Sequence, residues 1–529
     1  MEIREVGVIG LGTMGAGIAE VFARAGLSVT AIEADADALA RGMAILDGSL
    51  GRAVTRGKLT EDEYAQIVGR VRPGTKLADA AGADLVIEVV PEHLAIKRQV
   101  IAELDQACRP DAIIATNTSS LSVTTIAAGS AHPGRVVGMH FFNPAPVMRL
   151  VEVITTVLTD PYAGTAVTEF ARRLGKTPVQ VSDRAGFVAN ALLLPYLNHA
   201  VRLLETGYAT REDIDTAVTA GIGLPMGPLA LLDLIGLDTS LSVLEVLQRE
   251  FGGTRYTPAP LLRRLTDAGR TGRKSGGGFY DYPGQGSAVA GDSPGIDNAD
   301  QPPAPGTVTL IDPVAAAGSE NLAGTAGGAG QAGWSAGPHS DRAAELASLL
   351  AAAGISVTRN PAHATDLTLV AISQEGGVLG PALAAGRAQD AVGLHLATPT
   401  LAELVPSPLS SAGALAAVRA LIARLGLTAV RSADRPGLLV GALLCPHLRD
   451  AVAMVADGYA TPADVDDAMT LGCGYPCGPM RMLGDAGLAR TARVLKAMHA
   501  AYGDPAFAPP PLLTECVQAG LSPLHHTAR

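Results

Sequence analysis

Val6-Gly7-Val8-Ile9-Gly10-Leu11-Gly12-Thr13-Met14-Gly15 reads as a short apolar strand that runs straight into a glycine-rich turn. A helical pattern over 16–25 follows, closed by Gly26, and a second strand, Ser28-Val29-Thr30-Ala31-Ile32, delivers Glu33. In this order each residue has a physical task. Gly10 makes the tight turn, Gly12 lets a pyrophosphate approach the backbone, and Gly15 lets helix and strand pack closely, while the helix N-terminus faces the phosphates. Leu11, Thr13 and Met14 complete the phosphate-facing loop. Glu33, eighteen residues beyond Gly15, accepts from both ribose hydroxyls and repels the extra phosphate of NADP; no arginine follows until Arg41. A bare GxGxxG is weak evidence, but strand, glycines, helix, strand and acid together predict an NAD site.

Downstream, a strand-like run Val136-Val137-Gly138-Met139 leads into His140-Phe141-Phe142-Asn143-Pro144, with Glu152 twelve residues after His140. A lone histidine in an apolar stretch is more often a satisfied core residue. At a strand's end beside a nucleotide site, however, it can face a cleft, and a carboxylate from the next element can fix its tautomer and stabilise its protonated form. That is the construction of a general base for a hydroxyl proton.

Composition narrows the classes. A chain of 529 residues exceeds one ordinary core, so two to four domains are expected. The net charge of -11 argues against nucleic acid or an anionic membrane as a bulk partner. Five scattered cysteines suit a reducing cytoplasm, and Cys473 and Cys477 lack the companions of a zinc site, so no metal is expected. With a strand predicted within the first few residues no signal peptide is expected, and no apolar run is expected to span a bilayer.

Strands at Asp84-Leu85-Val86-Ile87-Glu88-Val89-Val90, Ala112-Ile113-Ile114-Ala115-Thr116 and Leu150-Val151-Glu152-Val153-Ile154 alternate with helical segments. This predicts an open, doubly wound α/β sheet with ligands at the carboxyl ends of its strands, where Ser119, His140 and Asn143 fall. From Asp183 the pattern turns helical, including a long helix over 186–205 and a cap at Thr210. Motifs then recur at a constant offset of 251 residues: Tyr459-Ala460-Thr461 repeats Tyr208-Ala209-Thr210, and Gly474-Tyr475-Pro476-Cys477-Gly478-Pro479 repeats Gly223-Leu224-Pro225-Met226-Gly227-Pro228. The chain therefore divides into an α/β Rossmann domain (1–183), an all-α domain (184–283), a linker (284–306), a degenerate Rossmann-like domain (307–431) and a second helical domain (432–529), with a loop over 315–337. His395 and Pro399 echo His140 and Pro144, but Thr398 stands for Asn143, Pro406-Ser407 falls in the Glu152 region, and no glycine fingerprint follows Thr307-Val308-Thr309-Leu310-Ile311-Asp312. The second copy reads as catalytically inactive.

GLGTMGAGIAEVFARAG, NTSSLS, GMHFFNPAPVMRLVEV and DIDTAV with GLPMGPLALLDLIGLD are the segments through which nearly the whole chain resembles NAD-dependent L-3-hydroxyacyl-CoA dehydrogenases. Its length, the segment Val54-Thr55-Arg56-Gly57-Lys58-Leu59-Thr60 and the degenerate second copy are most similar to the long forms of phenylacetate catabolism that act on 3-hydroxyadipyl-CoA. The resemblance implies that His140 is the base and Glu152 its orienting partner, and that Ser119 and Asn190 hydrogen-bond the reacting oxygen and fix the acyl-CoA substrate. It implies that Glu92 and Lys97 line the nicotinamide-ribose side, as against ordinary surface charges. Asn117 and Asn143 are placed with the cofactor, Asn143 with a capping or backbone-bonding role as the alternative. Ser49 and Arg56 match positions that meet coenzyme A, and Arg52, Arg56 and Lys58 suit its phosphates unless they are solvated charges. A homo-oligomer or an internal pseudo-dimer is expected.

Ala185 stands where the family has proline and Ala191 where it has arginine, and the missing arginine bears on helix packing or the acyl end of the pocket. Three readings compete: 3-hydroxybutyryl-CoA oxidation or its reverse, a lysine-centred dehydrogenase of free β-hydroxyacids, and a non-catalytic NAD-binding structural protein. The HFFNP segment with Glu152 disfavours the second, and the intact Ser119, His140, Glu152 and Asn190 set disfavours the third.

Overall fold

The computed structural model describes residues 2–283, 304–312, 339–360, 367–375 and 377–522. The expected linker lies outside the described residues except for 304–306, and the loop at 315–337 lies outside them entirely. Eight strands build the first sheet: β1 (Glu5–Ile9), β2 (Ser28–Ile32), β3 (Val71–Gly74), β4 (Leu85–Glu88), β5 (Ile113–Thr116), β6 (Val136–Phe141), β7 (Leu150–Thr155) and β8 (Thr177–Ser182), in the order β3-β2-β1-β4-β5-β6-β7-β8. Neighbours run parallel except β6 and β7, whose antiparallel register sets His140 opposite Glu152.

Strands β4, β5 and β6 are buried along their whole length, which is why they read as continuous apolar runs and not as alternating ones. Helices Thr13–Arg24, Ala36–Thr55 and Pro161–Arg173 pack on one face, and Leu94–Ala107 covers the other. The chain returns from β3 across the sheet to β4, so a switch point opens between β1 and β4. The first helix begins at Thr13, earlier than the apolar pattern from residue 16 predicts, because the glycine turn itself supplies its first turn. The long helix of the next unit begins late, at Ala189, because Gly186 and Phe187 have φ of 71° and 48° and hold the chain out of helical geometry.

Asp215 and Asp466, which stand 251 residues apart, do the same work in the two helical units. Asp215 accepts from the amides of Leu229 and Ala230 at 2.9 and 3.1 Å, capping helix Pro228–Ile235, and Asp466 accepts from Met480 at 2.7 Å in the repeat. A Cβ at Gly227 or Gly478 would lie 2.2 Å from the capping carboxylate, so the glycine before each proline is a requirement of close approach.

The second half is a six-stranded sheet, β9 (Thr307–Ile311), β10 (Ser356–Thr358), β11 (Leu367–Ala371), β12 (Ala391–Thr398), β13 (Leu401–Pro406) and β14 (Thr428–Arg431), in the order β10-β9-β11-β12-β13-β14. β11 pairs directly with β9, so the β3 and β4 positions of the first sheet have no counterpart in the order. The register corrects one sequence expectation: Glu403, not the Pro406-Ser407 region, stands for Glu152. It faces His395 across β12 and β13 and keeps the 251-residue offset. The hairpin is simply shorter, with eight residues from His395 to Glu403 against twelve from His140 to Glu152.

The two helical units share one apolar core, centred where helix Ala189–Glu205 meets helix Leu438–Ala456. The latter has mean hydropathy 1.6 and, contrary to expectation, is long and apolar enough to cross a membrane; 83% of that window is buried inside the fold. The seam carries polar ties as well. His199 Nε2 donates to Ala442 O at 3.0 Å, Tyr208 OH to Leu438 O at 2.9 Å, and Tyr459 OH to Ser182 O at 3.0 Å.

His447 lies in this seam between the rings of Tyr196 and Tyr475. Burial, assisted by the Arg255 guanidinium, pushes its imidazole down to about 4, and burial brings His199 to about 4 as well. In the unfolded chain histidine titrates near about 6.5, so on acidification the unfolded state takes up protons that the folded state refuses. The stability these two histidines contribute is therefore lost as the pH falls through the window from ~6.5 towards 4. The raised carboxyls of Glu403 and Asp215, at about 7 and 6, act in the opposite sense over the same window, so the share of His447 is the difference between variants: His447→Phe is expected to lose less melting temperature on acidification than the wild type. A slope unaltered in His447→Phe would place the titration elsewhere.

Candidate active site

Glu152 is fully buried on β7, and its two oxygens have separate partners. Oε1 accepts from the backbone amides of Val188 and Ala189 at 2.9 and 3.0 Å, at the start of helix Ala189–Glu205. The left-handed turn at Gly186 and Phe187 brings those amides to the strand. Oε2 accepts from His140 Nδ1 at 2.7 Å. An ionised carboxylate only accepts, so Nδ1 carries the proton and Nε2 of the neutral ring is left as an acceptor. Ser119 Oγ stands 3.0 Å from Nε2. Asn190 Nδ2 donates to Ser119 O at 3.3 Å, closing the group from the helical side. The rings of Phe142 and Phe187, 4.5 and 5.6 Å from the imidazole, exclude water from its flanks. The group can take a proton at Nε2 and share the resulting charge with Glu152.

Behind Ser119 lies a second ionic cluster. Lys97 is fully buried, with Nζ 2.9 Å from Glu88 Oε1 and 3.4 Å from Glu92 Oε2, and it donates to Val90 O at 3.2 Å. Glu92 Oε1 accepts from Thr118 Oγ1 and from the amides of Ser119 and Ser120 at 2.6, 2.9 and 3.1 Å. Burial opposes the charge on Glu92, but Lys97 and these donors outweigh it and hold the carboxyl below its usual range. Burial prevails at Glu88 and raises its carboxyl despite Lys97. Lys97 is no surface charge, whereas the Glu92 side chain keeps 39% exposure; together they brace the loop that carries Ser119. Glu88 escaped the sequence reading, although an acid inside the apolar run Val86-Ile87-Glu88-Val89-Val90 was its signal.

A cavity of about 630 Å³ opens at the β1/β4 switch point, lined by Gly10, Gly12, Thr13, Glu33 and Val90. Gly10 has φ 92°, and a Cβ there would come within 2.8 Å of Val89 O; one at Gly15 would meet Gly10 O at 1.8 Å. Nothing lies within 4 Å of a Cβ at Gly12, so the backbone is bare towards the cavity. Leu11 N donates to Glu33 Oε1 at 2.7 Å, which holds the acid at the cavity wall. Bare backbone, helix start and acid together fit a dinucleotide.

Other expected site residues lie elsewhere or are engaged. Asn117 Oδ1 accepts from Phe141 N at 2.8 Å, tying β5 to β6, and Asn143 is exposed just beyond β6. On helix Ala36–Thr55 and just beyond it, Ser49 is half-buried and Arg52, Arg56 and Lys58 are exposed; no hydrogen bond or ion pair among the described residues joins them to His140. Ala191 is buried and borders a cavity of about 620 Å³ that Arg184, Arg255 and Arg449 line from both halves. Among the described residues no three His, Cys, Asp or Glu side chains group as metal ligands.

The second half keeps the plan but differs in its contacts. Glu403 Oε1 accepts from Leu439 and Val440 as Glu152 does from Val188 and Ala189, at 2.7 and 2.8 Å. His395, however, turns Nε2 to Glu403 at 3.7 Å. Asn190 becomes Gly441, where a Cβ would strike the buried Gln374 side chain at 2.8 Å. Burial raises the Glu403 carboxyl to about 7.

Residues 5–184 match the 3-hydroxyacyl-CoA dehydrogenase NAD-binding domain, and 186–282 and 437–525 both match the 3-hydroxyacyl-CoA dehydrogenase C-terminal domain. A 3-hydroxyadipyl-CoA dehydrogenase of Escherichia coli is 32% identical over 97% of this chain and 98% of its own. A 3-hydroxybutyryl-CoA dehydrogenase of Mycobacterium tuberculosis is 49% identical over 53% of this chain and 99% of its own. The crystal structure of an Escherichia coli 3-hydroxybutyryl-CoA dehydrogenase superposes with a TM-score of 0.77 at 31% identity, covering 98% of this chain and 100% of that one. The chain belongs to the 3-hydroxyacyl-CoA dehydrogenase family, with one NAD-binding domain and two copies of the family's C-terminal domain.

Proposed function

We propose that this chain oxidises a 3-hydroxyacyl-CoA to the 3-oxoacyl-CoA with NAD, and that its substrate is 3-hydroxyadipyl-CoA. The relay from Ser119 through His140 to Glu152, anchored on a helix N-terminus, carries the reading. Gly10, Gly12, Thr13 and Glu33 would hold NAD, which when bound supplies the acceptor for the hydride from C3. Ser119 and Asn190 orient the 3-hydroxyl towards Nε2 of His140. The imidazole takes the hydroxyl proton at Nε2 and, now cationic, is stabilised by Glu152 at Nδ1. The phenylalanine rings keep competing water from the imidazole. Ser49 and Arg56 are assigned to the coenzyme A moiety, where Arg52 and Lys58 add positive charge for its phosphates.

The adipyl substrate follows from the likeness to the Escherichia coli 3-hydroxyadipyl-CoA dehydrogenase along both halves. A 3-hydroxybutyryl substrate is the second reading, favoured by the higher identity of the Mycobacterium tuberculosis relative across the first half. Comparing kcat/KM for the two thioesters by NADH formation separates them: a preference for the adipyl substrate is expected, and a preference for the butyryl one would keep the chemistry and change the substrate.

His140→Ala is expected to lower kcat by roughly 10²–10⁴ while NADH still binds, because the cofactor cavity is built from other residues. In Glu152→Gln the amide oxygen can still accept from Val188 and Ala189, but the amide nitrogen then faces Nδ1 and favours the wrong tautomer. A loss of similar size is expected; near-normal kcat in Glu152→Gln would refute the pairing.

A further inference from the structure

Residues alternate along β6 and β7, so the face carrying His140 and Glu152 also carries Phe142 and Leu150. This neighbouring pair is covered by the second half of the chain. Its turn Ala468–Gly472 rests on β7, and a Cβ at Gly472 would lie 2.5 Å from Leu150 Cδ2 and 3.2 Å from Phe142 Cε1. The Phe142 ring in turn lies 4.5 Å from the His140 imidazole. The next residue, Cys473, and nearby Tyr459 both sense the Glu152 charge: burial raises each, and the carboxylate raises them further. Two contacts clamp this approach in place. Tyr459 OH donates to Ser182 O at 3.0 Å at the end of β8, and the Arg184 guanidinium is sandwiched between Phe251 and Tyr459 at 4.8 and 5.0 Å. Gly221, the first-half counterpart of Gly472, makes the reciprocal approach, with a Cβ 2.7 Å from Leu401 Cδ2 on β13.

We infer that Gly472 is a positioning residue for the reaction: from the catalytically silent half it seats Phe142 and Leu150, and through them holds the His140 imidazole in line with Ser119. The inference rests on the reading of His140 as the base. The Glu152 bond fixes one edge of the ring, and Phe142 limits its movement towards the helical domain. Any side chain at position 472 presses on the side chains of Leu150 and Phe142, the latter against the His140 ring, where a misplacement of about 1 Å costs up to ~10² in rate.

The test uses the full chain. Gly472→Ala is expected to lower kcat roughly tenfold and to move the acid limb of kcat/KM, with the NADH dissociation constant unchanged. Adding Leu150→Ala, which vacates the space the new methyl needs, is expected to return kcat to that of Leu150→Ala alone. Gly221→Ala places the same burden on the reciprocal contact and is expected to leave kcat and its pH profile unchanged. Phe142→Leu removes the linking ring without adding a Cβ and is expected to reproduce the loss. Wild-type kcat in either Gly472→Ala or Phe142→Leu overturns the inference. Equal losses in Gly472→Ala and Gly221→Ala, or losses that follow NADH affinity, do so too, since general destabilisation then accounts for them. His140→Ala in the same assay separates the two claims: its activity would remove the base, whereas its inactivity beside an active Gly472→Ala would remove only the positioning.

Discussion

A carboxylate with no exposure to water, Glu152, organises the first half of this molecule. Burying such a charge is costly unless every lone pair is met. Here one oxygen caps the helix that opens the helical domain and the other holds the imidazole. One group thus fastens sheet to helix, sets the tautomer of His140 and brings Asn190 to Ser119. The left-handed residues Gly186 and Phe187 exist to aim the amides at it; Phe187 carries a conformation that side chains rarely adopt, and its ring is used against the imidazole. Taking one partner from a buried charge costs about 3–5 kcal/mol, so fold and site share this constraint.

The second half preserves the constraint but not the side-chain set around it. Glu403 caps its helix in the manner of Glu152, and Leu438 repeats the left-handed conformation of Phe187 with φ 48°. What is lost is what only a reaction requires: the ring geometry against Ser119, the asparagine and the glycine fingerprint. The docking of the halves has also been kept. Each helical unit lays a tight turn on the other half's sheet, at Gly221 on Leu401 and at Gly472 on Leu150. The shared core between helices Ala189–Glu205 and Leu438–Ala456 leaves neither apolar face to water.

Much of the first domain was legible because its signals are local. The glycine turn, the buried strands and the acid ending β2 are each dictated by neighbours a few residues away, and their periodicity survives in one dimension. The offset of 251 residues exposed the duplication for the same reason. Misreadings arose where geometry intervened. The Glu152 counterpart was placed near Pro406 because a shortened hairpin shifts residue count but not strand register, and the register places it at Glu403. Helix Leu438–Ala456 is as apolar as a membrane span because it is enclosed by protein on nearly all sides. Lys97 gave no sign of burial, since its partners Glu88 and Glu92 come from a strand and the loop after it.

By itself the sequence determined the chemistry on offer: a dinucleotide turn, an acid that selects NAD, a histidine and a glutamate twelve residues apart, and a second copy without the fingerprint. Strand pairing and helix packing alone decided which of these groups meet, which nitrogen of His140 faces Ser119, and that Gly472 stands over Leu150 and Phe142 beside it. The reason is physical. A residue type fixes what a side chain can donate, accept or exclude, but distance, burial and tautomer belong to contacts between segments far apart in the chain, and these exist only once the sheet and its helices have closed around them.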